Sequence, residues 1–200
     1  MTEVTTHNES TIPPDHKHLY YPPGGLLLWG LVLLELFTFG VALTAFFVSS
    51  HGAPEAFHAS RQQLVPIYGL VNTVFLLTSG YFMALSMQHF KQQNFPSTRR
   101  YISLAMLGGV FFIILKSVEY QQKLSQGFTL SYDPFFTYYW LLTVFHLMHV
   151  IVGLIILAGL YFRLKNPEQC KREDYEAGAT FWHMCDIIWL ILFPTVYLIV

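Results

Sequence analysis

The chain has 200 residues, of which 54% are hydrophobic and 12% charged; a soluble domain carries about 25% charge. Its mean hydropathy is +0.43. Its net charge of −1 gives no basic face for nucleic acid.

The first 21 residues are polar and lack a short apolar core followed by a small-residue cleavage site. No removable leader is expected, and the first apolar segment should act as an uncleaved anchor. His7, His16 and His18 lie in this tail and could bind metal weakly, although a solvated tail suffices to explain them. Pro22, Pro23, Gly24 and Gly25 then break the chain. Five stretches reach the roughly 20 apolar residues that a bilayer crossing needs: Leu26–Ser49, Pro66–His89, Tyr101–Gln122, Phe135–Phe162 and Ala177–Val200. Such long runs are helices, because barrel strands alternate over about ten residues. The connectors are short and carry Gly52, Pro54, Pro96, Gly127 and the Asp133-Pro134 pair. None could fold alone. The expectation is an all-α polytopic bundle of five transmembrane helices, residues 26–200, behind a polar cytoplasmic tail, residues 1–25. No internal repeat is present, and neither inverted repeats nor broken helices of a transporter appear.

Lysine and arginine orient the bundle. Lys17, Lys91, Arg99, Arg100, Arg163, Lys165, Lys171 and Arg172 fall on one side, and only Arg61 and Lys123 on the other. This bias puts the N-terminus in the cytoplasm and the C-terminus outside. Tyr20, Tyr21, Tyr101, Tyr138, Tyr139, Trp140, Tyr161 and Tyr197 lie near span ends, where an interfacial aromatic belt belongs. Cys170 sits in a charged loop and Cys185 in an apolar span, so no disulfide is expected.

The spans enclose Glu35, Asn72, Lys116, Glu119, His146, His149, His183 and Asp186. Ionisable groups at that depth are costly unless paired, and they face the bundle interior by default. At about 1.5 Å per residue, Glu35, His146 and Asp186 fall in one layer about 14 Å from the inner edge. His149 and His183 fall about 9 Å from it. Lys116 and Glu119 lie toward the outer face, with Asn72 nearby in depth. His146 with His149, His183 with Asp186, and Lys116 with Glu119 are each three apart, so each pair shares a helix face. Gly153, four after His149, would let another helix approach closely. Three readings remain open for this network: interhelical packing, a metal site of His and carboxylate ligands, or a protonic or lipid-headgroup role. No HExxH motif, carboxylate–x–x–His repeat, Gly-rich phosphate loop or nucleophile elbow is present, and no histidine pairs are placed to hold a haem.

Several of these segments carry a resemblance. Trp29-Gly30-Leu31-Val32-Leu33-Leu34-Glu35-Leu36-Phe37 resembles the part of haem–copper oxidase subunit III that bears its buried carboxylate. The run from Asn72-Thr73 to Ser79-Gly80 and the stretch Lys116-Ser117-Val118-Glu119-Tyr120 resemble two further family segments. The most specific matches are Phe145-His146-Leu147-Met148-His149 through Gly153, and Glu176-Ala177-Gly178-Ala179 with Phe181-Trp182-His183-Met184-Cys185-Asp186-Ile187-Ile188-Trp189. Larger family members have seven spans, and this chain resembles the five-span branch. Lys116 before Glu119, and Phe128-Thr129-Leu130 leading to Phe135-Phe136-Thr137-Tyr138-Tyr139, resemble the accessory subunit of bacterial nitric oxide reductase most.

The resemblance implies a non-catalytic subunit in a bacterial inner membrane. It implies that haem and metal lie in a catalytic partner subunit and none in this chain. It also implies a role in stability, phospholipid binding or proton uptake, although the two missing spans normally form half of the lipid-filled cleft. The partner would reduce nitric oxide or dioxygen. A membrane metalloenzyme using the buried histidines and carboxylates is the rival from another class.

Overall fold

The computed structural model describes residues 25–165 and 171–199. The N-terminal tail with its three histidines, Lys17, Tyr20 and Tyr21, as well as Cys170 and Val200, lie outside the described residues. Among those described, the chain is helical throughout and contains no strand. Helix α1 spans Leu26–Gly52, α2 Pro54–Arg61, α3 Pro66–Lys91, α4 Phe95–Ser125, α5 Pro134–Arg163 and α6 Arg172–Pro194. A π-helical turn, Thr195–Ile199, ends the chain. Counted with that turn, α6 is one of five segments long and apolar enough to cross a membrane; α1, α3, α4 and α5 are the others.

The helix ends follow from local chemistry. Proline occupies the first turn of α2, α3, α4 and α5, where its missing N–H costs nothing. Asp133 caps α5 by accepting the Phe136 N–H at 2.6 Å, and Asn94 caps α4 from Ser97 N at 3.3 Å. Gly127 takes φ 84 at the end of α4. The bonds from Gly127 N to Leu124 O and from Phe128 N to Lys123 O complete a Schellman closure there.

Two helix starts differ by more than one residue from the sequence expectation. Helix α4 begins at Phe95 rather than Tyr101, because Pro96 starts the helix instead of breaking it. Helix α6 begins at Arg172 rather than Ala177, because Glu173 and Asp174 suit the positive end of its dipole. Helix α2 was not expected at all. It is held by Phe57, whose buried ring lies 5.7 Å from Phe46 and 5.9 Å from Phe135. Ser60 also donates to Asp133, and Arg61 donates to Leu198 O at 2.8 Å.

The spans pack unequally. Helices α3 and α4 form the tightest pair, with small residues at their contact. A Cβ on Gly108 would lie 2.8 Å from Ser79 Cβ and 3.0 Å from the Phe75 carbonyl oxygen. Ser79 and Ser86 donate across the seam to Ala105 O at 2.6 Å and Thr98 O at 2.9 Å. Helix α6 lies against α1, α3 and α5. Its Trp182 fills the space left by Gly109 and Gly153, where a Cβ would come within 2.6 Å and 2.8 Å of the indole. Helix α1 is the most loosely held span, with only Val32, Phe39, Phe46 and Ser50 buried.

The seat of Trp182 is testable. Gly153→Leu forces side-chain atoms into the indole and should destabilise by about 1–3 kcal/mol, lowering the melting temperature in detergent by about 2–10 °C. Gly159→Leu, at a site with nothing within 4 Å, should leave it unchanged. Equal melting of both variants would show that Trp182 is not held where the packing puts it.

Candidate functional site

The polar residues of the spans separate into three groups. The first lies toward the α2 end of the bundle. Lys116 is fully buried in α4, with Nζ 2.9 Å from Glu119 Oε2. One turn of helix brings the two onto one face. Tyr197 accepts from Lys116 Nζ at 2.5 Å and donates to Glu119 Oε1 at 2.6 Å. Tyr139 donates to the same oxygen at 3.0 Å. The ammonium also lies about 5 Å from the ring centroids of Tyr120, Tyr139 and Tyr197 and 5.4 Å from that of Trp189. An ammonium so enclosed exchanges water for a carboxylate, two phenols and aromatic faces.

Tyr139 and Tyr197 therefore do not belong to the interfacial belt where their sequence positions suggested them. They are 0% and 1% exposed and complete this cluster. The π turn after Pro194 is what presents Tyr197 inward.

The second group joins α1 to α5. His149 Nε2 is 3.1 Å from Glu35 Oε2, an ion-pair separation outside good hydrogen-bond geometry. Its Nδ1 lies 2.8 Å from the Phe145 carbonyl, so Nδ1 donates there and Nε2 is the atom left to face the carboxylate. Depth had placed Glu35 in the layer of His146 instead. The correction is rotational: residues three apart differ by about 60° around a helix. Phe39 of α1 packs on Phe145 and His149, 5.1 and 5.7 Å between centroids. His146 turns inward, stacking on Trp189 at 5.2 Å and meeting the edge of Phe112 at 5.7 Å.

The third group is on α6. His183 Nδ1 lies 3.4 Å from Asp186 Oδ2. A Cβ on Gly80 of α3 would collide with Asp186 Oδ2, so the glycine makes room for this pair. His146 and Asn72 are fully buried and find no hydrogen-bond partner among the described residues. The structure thus pairs six of the eight expected residues and leaves His146 and Asn72 outside those pairs. No three His, Cys, Asp or Glu side chains converge on a metal-sized point among the described residues. Cys185 is buried and unpaired.

Sequence reasoning missed the hydroxyl–indole bonds that tie α3 to α6. Trp182 Nε1 donates to Ser79 Oγ and Trp189 Nε1 to Thr73 Oγ1, both at 3.0 Å. It also missed Ser86, 2.5 Å from Tyr175 OH. The available signal was two tryptophans seven residues apart facing small hydroxyl residues six apart on α3.

The buried ion pair gives a sharp expectation. Lys116→Met should strand the Glu119 carboxylate and destabilise by about 3–5 kcal/mol. Adding Glu119→Gln should recover part of that loss, since no unpaired charge then remains. Thermal unfolding of the single and double variants measures this, and a double variant worse than the single would contradict the ion-pair account.

Similarity to known proteins follows the same spans. The family described as Cytochrome c oxidase subunit III matches residues 23–200. A cytochrome c oxidase subunit 3 of Rhipicephalus sanguineus is 30% identical over 186 residues, covering 86% of this chain and 68% of that protein. One from Synechocystis sp. is 24% identical over 204 residues, covering 99% and 86%. A probable cytochrome c oxidase subunit 3 of Rickettsia conorii is 28% identical over 184 residues, covering 84% and 64%. With its five spans all inside the matched region, the chain belongs to the cytochrome c oxidase subunit III family.

Proposed function

We propose that the protein is a non-catalytic subunit of a respiratory haem–copper oxidoreductase in a bacterial cytoplasmic membrane. It would lie beside a larger catalytic subunit that holds the haem and metal. The observation that carries this reading is the family match through every span, residues 23–200. The arrangement of donors favours it over a membrane metalloenzyme. Glu35–His149 and His183–Asp186 offer two donors each, whereas a protein-bound transition metal takes three or four. Among the described residues, no set of donors fits a resident metal.

Within that reading, Lys116 ahead of Glu119 and the segment from Phe128 to Tyr139 support the nitric oxide reductase branch. The names of the relatives point instead to an oxidase that reduces dioxygen. The subunit's contribution would be to the stability, phospholipid binding or proton uptake of its partner. The basic bias of eight residues to two supports a cytoplasmic N-terminus and a periplasmic C-terminus.

Two measurements test this. A tagged chain purified gently from its native membrane should carry a haem-containing partner, visible as a Soret absorbance in stoichiometric amount. Recovery of the chain with its own bound iron or copper and no partner would overturn the reading. In the complex, Glu35→Gln keeps the shape and removes an exchangeable acid. A protonic role predicts normal assembly with altered turnover or working lifetime; unchanged turnover, with Glu35→Ala only weakening assembly, assigns Glu35 to packing.

The topology has its own check. A periplasm-dependent reporter such as alkaline phosphatase, fused after Val200, should be active. Activity only from a cytoplasm-dependent reporter there would reverse the orientation.

A further inference from the structure

Hydrocarbon accepts no hydrogen bonds, so a polar side chain on the surface of a span is informative. Most such groups here are satisfied within their own helix. Thr38, Thr44, Ser103 and Ser117 are exposed, and each hydroxyl donates to the carbonyl four residues earlier at 2.8 or 2.9 Å. These can face lipid at little cost. The outward faces of α4 and α5 are apolar, presenting Leu107, Ile114, Met148 and Ile155.

A strip on α6 does not conform. Its His183, Ile187 and Leu190 follow one another at helical spacing; Ile187 and Leu190 are exposed and His183 is half-buried. The His183 side chain is 41% exposed, far more than the 20% of Glu35 or the 12% of His149. Its Nδ1 is engaged by Asp186, and its Nε2 has no partner among the described residues. Asp186, 8% exposed beside it, has a second oxygen, Oδ1, that is buried and unpartnered. Both α1 and α3 pack on α6, and Gly80 of α3 adjoins the His183–Asp186 pair. An imidazole left in acyl chains with an unmet hydrogen-bonding nitrogen pays a desolvation penalty that nothing among the described residues offsets.

We infer that the α6 strip centred on His183 and Asp186 is the face against which the catalytic subunit docks, and that a transmembrane helix of that subunit supplies a hydrogen-bonding side chain to His183 Nε2. The inference rests on the subunit reading above. The complementarity is polar rather than apolar: a partner helix can meet an imidazole at mid-membrane, whereas an acyl chain cannot. The α4–α5 face, by contrast, needs nothing beyond lipid.

The test uses the chain in its native membrane complex, with a photoreactive benzoylphenylalanine at Ile187 or, as controls on the opposite faces, at Ile114 and Ile155. Irradiation should join the Ile187 variant to the haem-containing subunit, while the controls give no protein adduct. His183→Leu should lower the haem recovered per chain by up to about tenfold, the scale of one lost hydrogen bond, with the amount of chain in the membrane unchanged. His183→Gln, which can still hydrogen-bond, should restore most of it.

Adducts to the haem subunit from Ile114 or Ile155 and none from Ile187 would overturn the face while leaving the subunit reading intact. An Ile187 adduct to a second copy of this chain, or to lipid alone with haem still recovered, would also overturn it. Absence of haem from the complex before irradiation would remove the subunit reading and the docking face together.

Discussion

The bilayer withholds hydrogen bonds, and the arrangement of this bundle follows from that one constraint. Backbone groups meet it by helix formation. Side chains meet it only through contact between particular helices. The two indole N–H groups of α6 each require an acceptor, and Ser79 and Thr73 of α3 provide them at 3.0 Å. Those bonds fix the rotation of α6 against α3. With the rotation fixed, Trp182 lies over Gly109 and Gly153, which brings α4 and α5 against the same ring. The apolar surfaces alone would not choose this rotation, because lipid tails compete with them on equal terms.

The same constraint explains how a fully buried lysine is tolerated. Lys116 could not persist in this interior with Glu119 alone, because each charge would retain unmet hydrogen-bonding capacity. Tyr139 and Tyr197 supply what is missing. Both donate to Glu119 Oε1, and Tyr197 also accepts from the ammonium. Closing that cluster requires a residue from the last turn of the chain. Once Tyr197 is engaged, Leu198 O comes within 2.8 Å of Arg61 on α2. The C-terminal π turn, α4, α5 and the short helix α2 are thus connected through one polar centre and its neighbour.

The spans were legible in the sequence because their signal is a run of apolar residues, which depends on nothing distant. Helix α2 was not legible, since its eight residues are polar on average and its stability comes from Phe57 fitting between Phe46 and Phe135. The same division holds in the polar network. Of the three pairs expected from spacing within one helix, Lys116 with Glu119 and His183 with Asp186 are observed, whereas His146 turns inward on Trp189 and His149 meets Glu35. Pairs between helices do not follow, because depth gives height in the membrane and leaves rotation free. Glu35 at the height of His146 therefore meets His149. Tyr139 and Tyr197 near span ends read equally well as interfacial anchors, and only the location of Lys116 beside them decides otherwise.

The looseness of α1 belongs to this picture. A Cβ on Gly30 or Gly40 would touch nothing within 4 Å. Beyond the four buried residues, its polar attachments include Glu35 to His149 and Ser49 to Tyr138 at 2.9 Å. In α3, α4 and α6, glycines mark close helix contacts; in α1 they mark outward surface. Neither of these two polar contacts of α1 is part of the hydroxyl–indole bonding that ties α3 to α6. Glu35 is therefore carried by the most loosely held helix of the bundle, while His149 is carried by a helix anchored through Gly153 to Trp182. Their contact therefore joins the loosest span to an anchored one, whereas the fully buried Lys116 cluster is closed by α4, α5 and the π turn.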